Sequence, residues 1–324
     1  MSGRTRPLPP ENERRRHRGS EAPRIPLDRK LQTLALPRNV AIAALLIAAA
    51  AAAFPQSRVE CNAIPSAILH HAVRYCALLP PSYDTEKTRR FPILYFLHGL
   101  GDDEQALVSS GAWEIVDRLR KQGAIGDFII MTPNAGRSFY INSRDGKVRY
   151  EDFFFREFVP AIERKYRAGG AREARALAGV SMGGYGALRY AFTSPNLFAA
   201  VAVQMPALFD RLPPALTSSA SGSGQTLDTI SAFGRIPSEA FWQQNSPLTL
   251  ARTNAAQLKR LKIYFDCGEE DDFGFAAGAR TLDSILSDRH VPHEFHLYHG
   301  QHNWQYVAAH FAQVMQFEWK ALKP

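Results

Sequence analysis

The chain has 324 residues, of which 45% are hydrophobic and 22% charged, which is enough apolar material for one large α/β domain with a buried core. The formal net charge is +8, but it is unevenly placed. Residues 1–38 carry ten Lys or Arg against four Asp or Glu, so they hold +6 and leave +2 for residues 39–324. The basic character belongs to a tail, and we expect no nucleic-acid partner for the folded part.

The pattern of the first 54 residues predicts a leader followed by an apolar segment. Residues 1–38 are rich in Pro, Arg and Glu, which predicts a basic, disordered leader. Residues 39–54 carry no charge and end close to the run Ala51-Ala52-Ala53, a pattern typical of a secretory signal. The same segment is compatible with a single-span anchor that keeps membrane contact if it is not cleaved. Either interpretation predicts an exported domain, periplasmic or secreted, or an anchored one outside the cytoplasm.

Three cysteines, Cys61, Cys76 and Cys267, make an odd number and so no disulfide framework. A bridge between Cys61 and Cys76 is permissible in an oxidising compartment, but the sequence leaves it open. No cysteine pair has the spacing of metal ligands, and we predict no metal site.

From about Ile64 onward, apolar runs alternate with longer amphipathic runs. This is the pattern of an α/β fold, a mostly parallel central sheet with helices on both faces. The predicted strands are Val73–Leu79, Pro92–Leu97, Phe128–Met131, Ala176–Val180, Ala199–Gln204, Lys262–Asp266 and His293–Tyr298. The predicted helices are 104–121, 151–166, 183–193, 274–288 and 303–320. We expect one catalytic domain over residues 60–324.

One stretch, Pro206–Leu258, interrupts this alternation with Pro213-Pro214 and the Ser/Gly-rich run Ser218–Gly224. A connection of this length inside one domain is often functional. We expect an insertion at about 206–258 over the carboxyl ends of the strands, where open α/β sheets bind ligands. A surface excursion without a role in binding is the alternative.

The sequence Gly179-Val180-Ser181-Met182-Gly183 lies between a predicted strand and a predicted helix. This is the context of a nucleophile elbow, in which the turn is so tight that side chains two residues from the serine would clash. Glycine at 179 and 183 removes that clash. We therefore predict an α/β-hydrolase fold with Ser181 as its nucleophile.

A serine hydroxyl needs a base to remove its proton and an acid to orient that base. His302 is the histidine that falls in a short loop between a predicted strand and the last predicted helix. The loop after the strand Lys262–Asp266 offers Asp266, Asp271 and Asp272 as candidate acids. These residue types alone do not choose among the three.

The anionic intermediate of acyl transfer also needs preorganised hydrogen-bond donors. The amide of Met182 is one expected donor, because it opens the helix after Ser181. The loop His98-Gly99-Leu100-Gly101 follows an earlier predicted strand, and we expect the amide of Leu100 to be the second donor. His98 is interpreted as a packing and hydrogen-bonding residue.

Several segments within about residues 65–322 resemble those of one known family. They are Leu79–Tyr83, Leu97–Gly101, Pro133–Tyr140, Tyr150–Asp152, Gly179–Gly186, Asp266–Phe273 and Gly300–Trp304. They resemble the esterases related to esterase D, which include S-formylglutathione hydrolases, feruloyl and other carbohydrate esterases, and mycolyltransferases. In that family the acid is the second aspartate of a D-x-G-x-x-D pattern, and this resemblance implies Asp271 here.

The expected activity is hydrolysis of a carboxylic ester, small or polymer-linked, through an acyl-enzyme and without a metal or organic cofactor. An acyltransferase that passes the acyl group to a sugar or lipid hydroxyl would share the first half of the mechanism. A binding module on the same scaffold is a third possibility, since a fold by itself does not fix a function.

Overall fold

The computed structural model describes residues 57–211, 231–234 and 238–322. The predicted leader 1–38, the apolar segment 39–54 and residues 212–230 and 235–237 of the predicted insertion lie outside the described residues. Among the helices within the described ranges, none is both long enough and apolar enough to cross a bilayer.

A single eight-stranded sheet forms the centre of the described fold. Its strands are β1 Arg58–Pro65, β2 Ala72–Leu79, β3 Ile93–Leu97, β4 Ile129–Pro133, β5 Arg175–Val180, β6 Ala200–Gln204, β7 Lys262–Gly268 and β8 Glu294–Tyr298. The spatial order is β1-β2-β4-β3-β5-β6-β7-β8. Both pairings of β2 are antiparallel, and β4, β3, β5, β6, β7 and β8 pair in parallel. The expected mostly parallel sheet is confirmed.

Strands β3, β4 and β6 are buried along their whole length. This burial explains why their sequences are continuous apolar runs. Burial on both faces is usual for parallel strands covered by helices. The edge strand β1, Arg58–Pro65, was not predicted. Its eight residues are partly or fully exposed and include Arg, Glu and Asn, so they carry little apolar periodicity.

Helices connect the strands. They are α1 Ala106–Ser109, α2 Ala112–Lys121, α3 Tyr150–Phe153, α4 Val159–Lys165, α5 Met182–Thr193, α6 Glu239–Asn245, α7 Pro247–Thr253, α8 Ala255–Leu258, α9 Phe275–Asp288 and α10 Trp304–Ala321. The predicted helix 104–121 is divided because Gly111 adopts a left-handed conformation between α1 and α2. The predicted helix 151–166 becomes α3, a π-helical turn Phe154–Phe158 and α4.

Two groups of helices cover the sheet. Helix α5 packs against β3, β5 and β6, and it also contacts α7, which in turn contacts α9. Helix α10 packs against β5, β6 and β7 and contacts α2. Because α5 and α10 meet the same two strands from separate groups, they lie on opposite faces. The predicted arrangement of helices on both faces is therefore confirmed.

The insertion is mostly helical from Glu239 to Leu258, and its first helix there, α6, is anchored to α5. The buried guanidinium of Arg189 donates to Asn245 Oδ1 at 3.0 Å and to Glu151 Oε1 at 2.6 Å. The hydroxyl of Tyr185 donates to the carbonyl of Asn245 at 2.7 Å. Tyr185 lies in the first turn of α5, so these bonds hold the end of α6 close to the carboxyl ends of the central strands.

A disulfide joins the two antiparallel strands at the edge of the sheet. Cys61 in β1 lies directly opposite Cys76 in β2, and the two residues are bonded across a sequence separation of 15. Cys267 is a buried free cysteine. The bridge links the largely exposed β1 covalently to a strand whose second half is fully buried.

Replacing both Cys61 and Cys76 by alanine should lower the free energy of unfolding by about 2–4 kcal/mol, because the bridge closes a loop of about 15 residues in the unfolded chain. Urea unfolding of the variant and of the oxidised protein measures the difference. Reductant should destabilise the native protein to a similar extent and leave the double variant unchanged. An equal stability of all three samples would contradict this role of the bridge.

Candidate active site

Four loops meet at the carboxyl ends of parallel strands. They follow β3, β5, β7 and β8 and carry respectively the His98–Asp103 segment, Ser181, Asp271 and His302. In open α/β sheets this edge is the usual position of a ligand site. The parallel pairing of the strands therefore brings together side chains that are up to 204 positions apart in the sequence.

Ser181 lies in a strained turn between β5 and α5. Its φ of 56° and ψ of −117° are unusual for a residue with a side chain, and such a conformation costs about 1–3 kcal/mol. A Cβ on Gly179 would overlap the carbonyl of Gly183, and a Cβ on Gly183 would overlap the carbonyl of Leu97 at the end of β3. The glycine at 183 is therefore required by the neighbouring strand as well as by the turn.

A continuous hydrogen-bond chain links the three predicted catalytic side chains. His302 Nε2 lies 2.9 Å from Ser181 Oγ, and His302 Nδ1 lies 2.7 Å from Asp271 Oδ2. The side chain of His302 is 11% exposed and that of Asp271 is 0% exposed, so bulk water does not compete for the bond between them. Asp271 Oδ2 is suited to hold the tautomer in which Nδ1 carries the proton and Nε2 faces the serine.

The carboxylate of Asp271 is held in its ionised form by several donors. Burial acts to raise its pKa, but the hydrogen bond from His302 and those from the amides of Phe275 and Phe273 outweigh burial, and the pKa is lowered from its ordinary value. Asp271 Oδ1 accepts from the amide of Phe273 at 3.0 Å and from the amide of Phe275 at 3.2 Å. The amides fix one oxygen and leave the other for the histidine.

The acid loop and the histidine loop are hydrogen-bonded to each other. The amide of Glu269 donates to the carbonyl of Tyr298 at 2.8 Å, and the amide of Glu270 donates to the carbonyl of Gly300 at 3.2 Å. The carboxylate of Glu270 accepts from the amide of Gly300 at 2.6 Å and bonds His299 Nδ1 at 2.9 Å. The amide of Gly300 and the His299 imidazole together lower the pKa of Glu270. No local pattern in the sequence indicated this contact between the two loops.

The loop after β3 is held in place by hydrogen bonds of His98, which is fully buried. His98 Nδ1 donates to the carbonyl of Gly99 at 2.8 Å, and Nε2 accepts from the amide of Ala135 at 2.9 Å. Burial lowers the pKa of His98, which favours the neutral ring that this pair of bonds requires. The structure agrees with its interpretation as a hydrogen-bonding residue.

A pocket of about 300 Å³ opens above the serine. Its lining includes Ser181, His302, Leu100, Asp102, Met205, Phe273 and Trp304. Leu100 and Ser181 thus face the same space, and Met182 begins α5 immediately after the serine, where the first amides of a helix lack intrahelical acceptors. Sequence reasoning did not single out Asp102 or Phe273. Phe273 is 62% exposed although it is aromatic, and its ring contacts the His302 imidazole at a centroid distance of 4.8 Å.

Aromatic side chains of the insertion pack beside this pocket. The ring of Phe275 contacts His302 at 5.2 Å and Phe209 at 5.1 Å. Phe209 in turn contacts Trp242, and Trp242 contacts Phe233 at 4.8 Å. Trp242 and Phe233 are buried. These contacts connect the insertion to the imidazole without placing its buried rings in the pocket lining.

The three candidate acids have separate positions. Asp271 alone contacts the histidine, while Asp272 is exposed. Asp266 is fully buried in β7, where its two oxygens accept from the hydroxyls of Tyr264 and Tyr306, each at 3.0 Å. The resemblance had implied Asp271 among these three. A group of Glu269, Glu270 and His299 has ligand atoms within 4.8 Å of one another, but all three are exposed and are already hydrogen-bonded in part to each other.

Comparisons with known proteins agree with this architecture. A family model described as "Putative esterase" matches residues 66–317. The chain is 29% identical over 245 residues to esterase Rv1288 of Mycobacterium tuberculosis (strain ATCC 25618 / H37Rv), an alignment that covers 69% of this chain and 51% of the relative. The chain thus spans about half the length of this curated relative.

Two solved structures illustrate the similarity of the fold. A ferulic acid esterase superposes with a TM-score of 0.71 at 28% identity and covers 82% of this chain and 99% of its own. S-formylglutathione hydrolase (FrmB) from Staphylococcus aureus superposes with a TM-score of 0.66 at 20% identity and covers 81% and 99%. At 20% identity, the likeness to FrmB concerns the fold alone.

Asp266 should make stability depend on pH. Burial raises its pKa to about 7, although the hydroxyls of Tyr264 and Tyr306 favour the charged form. Between about pH 4 and pH 7 the folded protein keeps this proton while the unfolded chain has lost it, so the contribution of Asp266 to stability falls as pH rises. The difference in Tm between Asp266→Asn and the native protein should therefore become more positive from pH 4 to pH 7 and then level off.

Circular dichroism melts from pH 4 to pH 8 test this expectation. Asp272→Asn is the matched control, because it removes an exposed carboxylate in the loop that follows β7, and its Tm difference should be small throughout. A Tm difference for Asp266→Asn that does not vary with pH would show that Asp266 ionises in the folded protein as it does in the unfolded chain.

Proposed function

Because the chain belongs to the family described as "Putative esterase", we propose that it hydrolyses carboxylic esters through an acyl-enzyme formed on Ser181. The observation that carries the proposal is the unbroken hydrogen-bond chain Asp271–His302–Ser181 at the strained turn after β5. Each member has the chemistry that its position requires: a hydroxyl nucleophile, an imidazole base and a carboxylate that orients the base.

In the first step Ser181 Oγ attacks the ester carbonyl while His302 Nε2 takes its proton. The C–O bond to the alcohol then breaks, and the imidazolium of His302 gives the proton to the leaving alkoxide. Asp271 stays ionised and stabilises the imidazolium through Nδ1, in keeping with its lowered pKa. Water repeats the sequence on the acyl-enzyme, releases the carboxylic acid and restores the serine.

The negative oxygen of the tetrahedral intermediates requires donors aimed at one point. We assign these to the amides of Met182 and Leu100. Met182 opens the twelve-residue helix α5, whose N-terminus carries a partial positive charge, and Leu100 shares the pocket with Ser181. The bonds of His98 to Gly99 and Ala135 hold the loop that carries Leu100.

The same proposal includes export of the catalytic domain. Residues 39–54 have the composition of a secretory signal or an anchor, and they lie outside the described residues. The disulfide between Cys61 and Cys76 supports an oxidising compartment, where such bonds persist.

Ser181→Ala should abolish hydrolysis of 4-nitrophenyl acetate, with kcat reduced by about 10⁴-fold or more, because no other group in the pocket has an adjacent base. The thermal stability should change little, since the serine side chain is partly exposed. Ser287→Ala on the exposed side of α9 is the matched control and should keep full activity. Retention of more than a small fraction of activity in Ser181→Ala would exclude Ser181 as the nucleophile. Product analysis with an added acceptor alcohol distinguishes hydrolysis from acyl transfer.

Asp271→Asn should lower kcat by about 10³- to 10⁴-fold with little change in KM, because an amide favours the wrong tautomer of His302. Asp272→Asn removes the next carboxylate of the same loop and should be nearly normal, as this side chain is exposed. Steady-state kinetics of the two variants decide the assignment. An inactive Asp272→Asn beside a normal Asp271→Asn would move the acid by one residue and leave Ser181 and His302 in their roles.

A further inference from the structure

Asp102 places a carboxylate in the pocket above the serine, and the proposed mechanism does not use it. It lies in the loop after β3, two residues beyond Leu100, and is only partly exposed. It lines the catalytic pocket together with Ser181, His302 and Trp304. It also lines a second pocket of about 450 Å³ with Trp304, Asp103, Ser109 and Ser110. Asp102 and Trp304 are therefore the boundary that the two pockets share.

The position of this carboxylate is defined, but its charge is not neutralised. Asp102 Oδ1 accepts from Trp304 Nε1 at 3.4 Å, and the backbone amide of Asp102 donates to the carbonyl of Gly99 at 3.2 Å. Within the described residues no cationic side chain lies within ion-pairing distance of Asp102. The two following acids differ in this respect, because Arg74 lies 3.8 Å from Asp103 and 2.7 Å from Glu104. Partial burial without a cation raises the pKa of Asp102.

The two pockets are lined by carboxylates and by no lysine or arginine among the described residues. The carboxylates are those of Asp102 and Asp103. Asp271 is also close, although its charge is committed to His302. A substrate that extends past Trp304 therefore meets carboxylates and the hydroxyls of Ser109 and Ser110, groups that accept hydrogen bonds from neutral polar or cationic molecules.

We propose that Asp102 is a specificity-determining residue that selects against esters with an anionic acyl or alcohol part and favours uncharged or cationic ones. The inference rests on the proposed esterase activity and deepens it. Two unit charges a few ångströms apart in a partly desolvated pocket interact strongly enough to change relative rates by about tenfold. A neutral ester does not experience this interaction. The charge of Asp102 should therefore change kcat/KM of a charged ester relative to kcat/KM of a neutral one.

Three aryl acetates of similar size test the proposal. They are 4-acetoxybenzamide, which is neutral, 4-acetoxybenzoate, which is an anion, and (4-acetoxyphenyl)trimethylammonium, which is a cation. Values of kcat/KM are measured at pH 8, well above the ordinary range of an aspartate, and each is divided by the uncatalysed rate. Asp102→Asn removes the charge, keeps the shape of the side chain and retains an oxygen that can accept from Trp304. Asp272→Asn removes the same charge close by, at a residue that lines neither pocket.

Relative to the neutral ester, the native protein should disfavour the anion and favour the cation. Asp102→Asn should raise the anion-to-neutral ratio about tenfold and lower the cation-to-neutral ratio to a similar extent. Asp272→Asn should change both ratios less than twofold. Equal ratios in Asp102→Asn and Asp272→Asn would overturn the proposal while leaving the esterase activity in place.

Two further outcomes keep the two proposals distinguishable. If the native protein and Ser181→Ala hydrolyse the neutral ester equally slowly, the esterase proposal fails and the selectivity fails with it. If Asp102→Asn does not fold, the native protein provides the measurement, because added salt screens a partly exposed charge. Raising NaCl from 20 mM to 500 mM should then increase the anion-to-neutral ratio, and a ratio that is independent of salt would overturn selection by charge.

Discussion

The strand-to-helix turn at Ser181 is the constraint on which the rest of the site depends. The positive φ of the serine is maintained because β5 pairs with both β3 and β6, and α5 packs on the same strands. The backbone of β3 approaches Gly183 so closely that no side chain fits there. The turn that exposes the proposed nucleophile, Ser181, therefore also lies close to the loop after β3, which carries the proposed oxyanion donor Leu100. A shift of either strand would disturb both parts of the site.

The other half of the site is built by contacts between loops. The amides of Glu269 and Glu270 donate to carbonyls of Tyr298 and Gly300, and the carboxylate of Glu270 accepts from the amide of Gly300, so the segments that follow β7 and β8 are held together. Asp271 is thereby directed to the imidazole, and the neighbouring carboxylates serve other purposes. One carboxylate is buried between tyrosines, one accepts a backbone amide, and one faces solvent. Acids close together in the chain thus differ in burial or in contacts: Asp266 is buried in β7, whereas Glu270 and Asp272 are both exposed and Glu270 accepts the amide of Gly300.

The negative charge of Asp102 also depends on how the loop after β3 is placed beside the pocket. The loop after β3 turns back over the serine, and the first residue of α10 donates from its indole to Asp102. Arg74 on β2 neutralises the next two acids but not this one. The carboxylate of Asp102 therefore lies beside the pocket without an ion pair to Arg74, while the proposed amide donors stabilise the negative charge that develops on the carbonyl oxygen.

The sequence by itself determined the α/β architecture and seven of the eight strands, because buried parallel strands are continuous apolar runs. It also pointed to Ser181 and His302 as the proposed nucleophile and base, because the elbow needs glycines at fixed spacing. The edge strand β1 escaped prediction, since it is largely exposed and has no such pattern. The acid required a resemblance, because adjacent aspartates have equal local propensities. Only the tertiary structure decided the bridge between Cys61 and Cys76, the contact of Glu270 with Gly300 and the place of Asp102. Each depends on distances between segments far apart in the chain, and local sequence patterns do not encode such distances.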